Sequence, residues 1–460
     1  MNQNFTSCCY RFFARIVFFS CLLFSFLLGS QAICLGQTAT LRPNSNGVIY
    51  VRPAGTGNGS SWSAATSNLQ GAIDAEGVSQ VFVAVGTYNV PTSNSFTLKN
   101  GVAVFGGFDP DKGVFDLTGE RILPNRGSAE GSILKGNYKG SVVKNVFTKA
   151  NQMISSAVLD GFTLTAGKAA EGGGVNNIWA TPLLRNLVIK GNTATGTGGG
   201  IFTDSALIAL GVSEPNFQNI IVKNNISMYG GGICFNASSN GLVNVLITGN
   251  TATTEGAAIY NNRGSNMLIN CTIAQNVGTT TVRGDDGVAL INSVLFGRST
   301  NLSSPLYSLI EGLNSNESGN KSSEGLSISQ VFKNPSTGDF SLASGSVAID
   351  AGMRTIFEGL TFLNENSADL AGKYREAGAS IDMGAYESGS ATVNVGAVGI
   401  VPDASGIIYV RERGTGKGSS WSDAVGNIQS AINGNGVKKV YVATGNYKVP
   451  VTGGLMLKIM

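Results

Sequence analysis

Apolar and polar positions alternate in short runs that recur along the middle of the chain. "LDGFTLTAG" from Leu159 is followed by "LRNLVIKGN" from Leu184, "FQNIIVKNN" from Phe217, "LVNVLITGN" from Leu242 and "LINCTIAQN" from Leu268. "LINSVLFGR" from Leu290 is a fading sixth copy, and successive copies start 25, 33, 25, 26 and 22 residues apart. In each copy Phe162/Leu164, Leu187/Ile189, Ile220/Val222, Val245/Ile247 and Cys271/Ile273 point one way and the residues between them the other. One such unit cannot bury its apolar residues alone; only a stack of them makes a core. The pattern therefore predicts coils of a parallel β-solenoid, each lying ~4.8 Å from the last, the spacing of neighbouring strands.

Two polar columns accompany the strands. Asn192, Asn225, Asn250 and Asn276 end their strands at equivalent places. Asn tolerates left-handed backbone, and its amide can bond the same residue one coil away. "GGGV" at Gly172, "GGGI" at Gly198 and Gly230, and "GAAI" at Gly256 supply a corner where positive φ and close backbone approach are needed. Cys271 takes an inward slot, while Cys234 follows an inward Ile233 and points out, so no bridge between them is expected.

A solenoid has an open apolar end that must be covered. After "YVRPAGTGNGSSW", Leu69, Ala72 and Ile73 fall at helical spacing, with Ser63 as the expected N-cap and Gly77 as the stop. Val81, Val83 and Val85 then alternate as a strand, and "FTLKNGVAVFGGF" gives two more. This reads as a capping helix followed by a first coil, with Trp62 as the plug between them.

Particular stretches of these units carry a resemblance. "GTY" at Gly86, the "GGGI…N" and "GAAIYNN" units, "VFKNPSTGDFSLASGSVAIDAG" from Val331 and "SIDMGAYES" from Ser380 resemble exported bacterial proteins of the pectate-lyase-like superfamily, with repeats like those of polymorphic outer-membrane proteins. The resemblance spans residues 47–388 and implies an all-β, right-handed, single-stranded parallel β-helix of about ten coils.

The opening is spelled twice. Residues 47–99 align without a gap to 406–458, and 29 of the 53 positions are identical. The expected organisation is a signal peptide over residues 1–37, a β-helix domain over 38–390, a linker over 391–404 and the truncated N-terminal part of a second β-helix over 405–460. On this reading the chain is a fragment of a longer tandem array or the product of a truncated gene. The signal is read from Arg11 and Arg15 ahead of "IVFFSCLLFSFLL", which is short for a membrane span, and from "GSQA", with cleavage between about 32 and 37. Cys8, Cys9, Cys21 and in some cleavage patterns Cys34 leave with it. No membrane span is expected in the mature chain.

Composition narrows the chemistry. Charged residues are 13% of the chain and the net charge is +3, giving no electrostatic case for nucleic acid or an acidic membrane surface. There is no histidine, which removes Ser-His-Asp and Cys-His triads and His-ligated zinc. The resemblance implies lyases using calcium held by acidic residues with an Arg or Lys base, or hydrolases using clustered Asp. Asp285 and Asp286 in "VRGDDGVAL" resemble the paired Asp of polygalacturonase-like enzymes and could act as acid and base, or simply form a turn. The accompanying "NTD", "GHG" and "RIK" motifs are missing. Asp109 and Asp111 in "FDPDKG" offer a calcium pair or a loop turn; no cofactor is expected, with calcium the one possible ion. Asp350 and Asp382 read as turn residues and Arg375 as a partner of the terminal loop.

For binding, Asn176, Phe202, Cys234 and Tyr260 form an outward file, and Phe202 and Tyr260 could stack on sugar rings or pack under a loop. Trp179 is a further candidate, and Trp62 a remote one. The leading expectation is a secreted or cell-surface, outer-membrane-associated β-helix used in tandem for adhesion or glycan binding, with a polysaccharide or cell-surface glycan as partner. A polysaccharide lyase or glycoside hydrolase with a divergent site, and a purely structural stalk, are the alternatives.

Overall fold

The computed structural model describes residues 40–127, 129–205, 215–313, 316–354, 368–373, 375, 379–389, 402–411, 414, 416–426, 428, 431 and 437–445. Residues 1–39, where the signal peptide was read, and 390–401, most of the linker, lie outside them.

The strands wind into a parallel β-helix whose central coils have four sides. The first side stacks Val48–Val51, Gln80–Ala84, Ala103–Phe108, Val158–Asp160 and Leu183–Arg185, then the leading parts of Phe217–Lys223 and Gly241–Thr248, then Asn266–Ile269. The second side stacks Phe162–Thr165, Val188–Lys190, the trailing parts of those same two long strands, Thr272–Ala274 and Val294–Leu295. The third is a separate four-stranded sheet of Lys168–Glu171, Thr193–Thr197, Ile226–Tyr229 and Thr251–Glu255. The fourth stacks Val143–Val146, Val175–Ile178, Ile201–Asp204, Ile233–Asn236, Ile259–Asn262 and the start of Val282–Ile291. Nearly every pairing is parallel and joins one coil to the next. The inward residues read from the sequence, among them Phe162, Leu164, Leu187, Ile189, Val245 and Ile247, form one continuous buried core.

The Asn column is a ladder. The amide oxygen of Asn225 accepts from the backbone N–H of Asn192 at 3.0 Å and from its side-chain amide at 3.1 Å. Asn250 does the same for Asn225, both at 3.0 Å, and Asn276 for Asn250, both at 3.0 Å. The left-handed residue of this corner is the one before each Asn: Gly191, Asn224, Gly249 and Gln275 have φ of 62°, 56°, 63° and 56°. The laddered Asn is thus chosen for its amide, not for a left-handed backbone, which corrects the sequence reading. In the next corner Gly172, Gly198, Gly230 and Gly256 carry the positive φ. A Cβ on the second residue of a triplet would meet backbone: at Gly199 it would lie 2.5 Å from the carbonyl oxygen of Gly231.

The cap departs from expectation in detail. The helix, α1, covers only Leu69–Asp74, and its N-cap is Asn68, whose side chain accepts from the Gly71 N–H. Ser63 does not cap it, because Gly57 and Gly59 donate to the carbonyls of Ala65 and Ala64 and hold that stretch against the preceding loop. The helix stops before Gly77; the Lys99 ammonium donates to the carbonyls of Asp74 and Ala75. Leu69, Ala72 and Ile73 are seated in the main core as read. Trp62 is not the plug. It lies in a separate outer cluster with Tyr50, Phe82, Phe105 and Phe108, and its indole N–H donates to the Phe115 carbonyl at 2.7 Å.

The closing motifs fold back along the side of the stack. Ile328–Val331 forms a short helix, α2, and Phe332–Asn334 pairs antiparallel with Asp339–Leu342. Val331, Phe332, Phe340, Leu342, Leu370, Met383 and Ala385 pack on the outward residues Leu246, Ala274, Val294 and Leu309 of the second side.

The ladder yields a direct stability prediction. Asn225→Ala removes the acceptor of two donors on Asn192, both buried, and leaves the Ile189 carbonyl without its amide partner. A loss of about 3 kcal/mol is expected, at roughly 1–3 kcal/mol per stranded polar group. Chemical denaturation of the variant against the parent measures it, and a change below about 0.5 kcal/mol would remove the ladder from any account of stability.

Candidate functional site

The outward file of the fourth side is in register: Asn176 pairs with Phe202, Phe202 with Cys234, Cys234 with Tyr260 and Tyr260 with Arg283. Pointing outward does not expose its first members. Phe202 is 4% exposed and Cys234 1%. The glycine corner folds over them, so that Cβ atoms built on Gly198 and Gly230 would fall 2.9 Å from those of Phe202 and Cys234. Phe202 therefore offers no ring face to a ligand. Cys234 and Cys271 are both free and buried, and burial pushes each thiol up to about 12.

The file emerges at Tyr260. Its ring lies 5.1 Å from that of Tyr229, which ends the preceding strand of the third side. Arg283 pairs with Asp285 at 2.8 Å and Glu255 at 3.4 Å. Burial of the ring, then Asp285, raises the Tyr260 hydroxyl above its ordinary value. The corner thus brings together Tyr260 and Asp285, which were read from the sequence, with Tyr229, Arg283 and Glu255, which were not. A signal for Tyr229 and Glu255 was available: each directly precedes the glycine of its corner, as Thr197 does one coil earlier.

Asp285 and Asp286 lie inside one long strand, Val282–Ile291, at an irregularity in its register. They face different partners. Asp285 bonds Arg283, while the Asp286 carboxylate accepts from the Gly264 N–H at 2.9 Å and its carbonyl from the Asn261 amide at 2.9 Å. Trp179, half-buried with φ of 50°, stands at the other edge of the fourth side, three coils from Tyr260. Asp109 pairs with Lys112 at 2.9 Å and Asp111 with Arg52 at 3.4 Å, so the two carboxylates turn to separate cations. Among the described residues no group of three or more His, Cys, Asp or Glu is placed to hold a metal ion.

Two buried charged centres lie elsewhere. Asp160 is fully buried on the outer face of the first side, bonded to Arg121 at 3.2 Å, Arg185 at 2.7 Å and the Asn186 amide at 2.9 Å. Burial alone would raise its carboxyl, but the two guanidiniums and Asn186 outweigh it and hold it at about 2. Arg375, also fully buried, donates to the Asn244 side chain and the Gly384 carbonyl, both at 2.9 Å, and lies 3.7 Å from Glu387. Asp369 takes the backbone N–H groups of Lys373 and Glu387, and Asp382 those of Asp350 and Ser388. With one guanidinium for several carboxyls, burial pushes Glu387 up to about 9 despite Arg375, and raises Asp369 as well. These groups tie the closing segment to the stack, with the side chains of Asp369, Asp382 and Glu387 buried.

No family model matches the chain, and no curated protein matches it. Among solved structures, the crystal structure of pectate lyase Pel9A is similar at 15% identity and a TM-score of 0.35, over 76% of this chain and 97% of that one.

The buried carboxyls predict an opposed pH dependence. Glu387 holds its proton in the folded state up to about 9 but in the unfolded chain only to its ordinary 4.5. Its contribution is full below 4.5 and is lost as pH rises through that interval. Asp160 acts the other way: its contribution is present above 3.8 and lost as pH falls toward about 2. Melting temperature measured across this range is expected to decline on the alkaline side, and Glu387→Gln to flatten that decline. An unchanged slope in the variant would show that Glu387 is ionised when folded.

Proposed function

We propose that this chain is an exported, secreted or surface-held β-helix protein that binds glycan at the Tyr229–Tyr260–Arg283 corner without cleaving it. The observation that carries the reading is the pairing of two tyrosine rings 5.1 Å apart with a guanidinium held by two carboxylates, on a partly exposed edge of a rigid sheet. Aromatic faces give sugars an apolar platform, and the charged groups beside them give hydroxyls their donors and acceptors. Asp285 and Asp286 are each committed to a structural partner, which supports binding over general acid–base work. Export rests on the N-terminal sequence, and use in tandem on the repeated cap.

The full chain, incubated with neutral and acidic polysaccharides in the presence of calcium, tests this through retention on the polymer and release of shorter sugars. Retention without release is expected, with Tyr260→Ala weakening it about tenfold or more, the size of a central aromatic anchor. Dose-dependent release abolished by Asp285→Asn would establish an enzyme instead. Neither retention nor release would leave a structural stalk.

A further inference from the structure

Beside the tyrosine corner lies a second surface. The third side is a parallel sheet whose inward residues Ala194, Ser227 and Ala252 are buried. Its outward residues form a row across four coils: Thr193 pairs with Ile226, Ile226 with Thr251, and Thr251 with Val277. Two residues on, Thr195, Met228 and Thr253 are also exposed. Ile226, Met228 and Val277 are 47%, 45% and 63% exposed, so that three of the large apolar side chains left at the surface among the described residues share this one face. None of these outward residues carries charge; Lys168 marks one end of the row, and Glu171 and Glu255 one edge.

We propose that this face is a docking plane for the packed, uncharged chains of a neutral polysaccharide, an inference that rests on the glycan-binding reading and names its substrate class. Three observations select that occupant. Beyond Lys168 at its end the row is uncharged, and Arg283 beside it is already held by Glu255 and Asp285, so among the described residues an anionic polymer would meet one ammonium at the end of the row and no charge along it. Its groups repeat every ~4.8 Å along the helix axis, which suits a partner that is itself periodic. Each threonine sets a methyl beside a hydroxyl on a stiff side chain, and these alternate with aliphatic side chains. The mixture matches the apolar faces and hydroxyl edges of sugar rings, and it continues directly into Tyr229 and Tyr260.

The test uses the full chain and two insoluble, ordered, uncharged probes, microcrystalline cellulose and chitin, with soluble polygalacturonate as the anionic comparison. Thr195→Lys/Thr253→Lys and Ile226→Glu/Met228→Glu put charge on exposed positions, and thermal unfolding checks that each double variant remains folded. The parent is expected to be retained on at least one neutral solid. Both variants should lose that retention at least tenfold while binding soluble neutral oligosaccharides like the parent. Retention unchanged in both variants, preference for polygalacturonate, or a parent dimer that the variants break would each overturn the docking plane. If soluble oligosaccharide binding remains and depends on Tyr260, the tyrosine corner survives that failure. If the parent binds no glycan at all, the proposed function falls and this inference with it.

Discussion

The backbone hydrogen bonds between successive coils are the constraint from which the rest of the molecule follows. Once one coil lies on the next at strand spacing, every side chain stands against the side chain at the same position one coil away. An apolar column then packs without further design. A polar column is tolerated in the interior only where each member can both give and take a bond along the stack. Asn meets that demand, because its oxygen serves the coil before while its NH₂ serves the coil after; this is why Asn192, Asn225 and Asn250 can be wholly buried. In a different column, where inward Leu187, Ile220 and Val245 give way to Cys271, Ser293 and Ser308, hydroxyls perform a similar duty: Ser293 accepts from the Cys271 N–H and Ser308 from the Ser293 N–H, both at 3.0 Å.

This columnar logic explains what could be read from sequence. A repeat of about 25 residues with alternating strands exposes the inward set, the Asn ladder and the glycine corner, because each is a column and therefore a recurrence. The bend inside each repeat was harder to see. Asn186, Asn219, Asn244, Asn270 and Asn292 all have φ between 49° and 55° and turn the chain from first side to second. Only Leu187 and Ile189 of "LRNLVIKGN" enter an alternating reading; the mark of the turn is the odd spacing of inward Leu184 and Leu187, three apart where one strand would keep a spacing of two. The position of the closing segment was hidden for a different reason. Residues such as Leu246 and Val294 point outward and are covered from the distant end of the chain, a contact that local periodicity does not encode.

The candidate site was legible only in part, and the split has a cause. Tyr260 and Asp285 were visible as unusual residues within their own repeats. Tyr229, Glu255 and Arg283 became relevant because the glycine corner swings the end of the third side against the start of the fourth. That same corner buries Phe202, which sequence direction alone presented as available. Direction is set by the pleat, whereas exposure is set by what the corner brings over it.

A regular stack also limits where function can reside. Interior columns are committed to neighbours above and below, and the buried charges around Asp160 and Arg375 are committed to holding loops against the outer wall. What remains uncommitted is outer surface, and it is repetitive because the coils beneath it are. Such a surface gains little from a small ligand, which meets a few residues of one coil. A polymer meets every coil at once, and contacts that are individually weak add along it, since the rigid sheet has already met the cost of ordering them. The uncharged row of Thr193, Ile226, Thr251 and Val277 is therefore better matched to an extended partner than to a pocket-sized one, and the paired rings of Tyr229 and Tyr260 lie beside it.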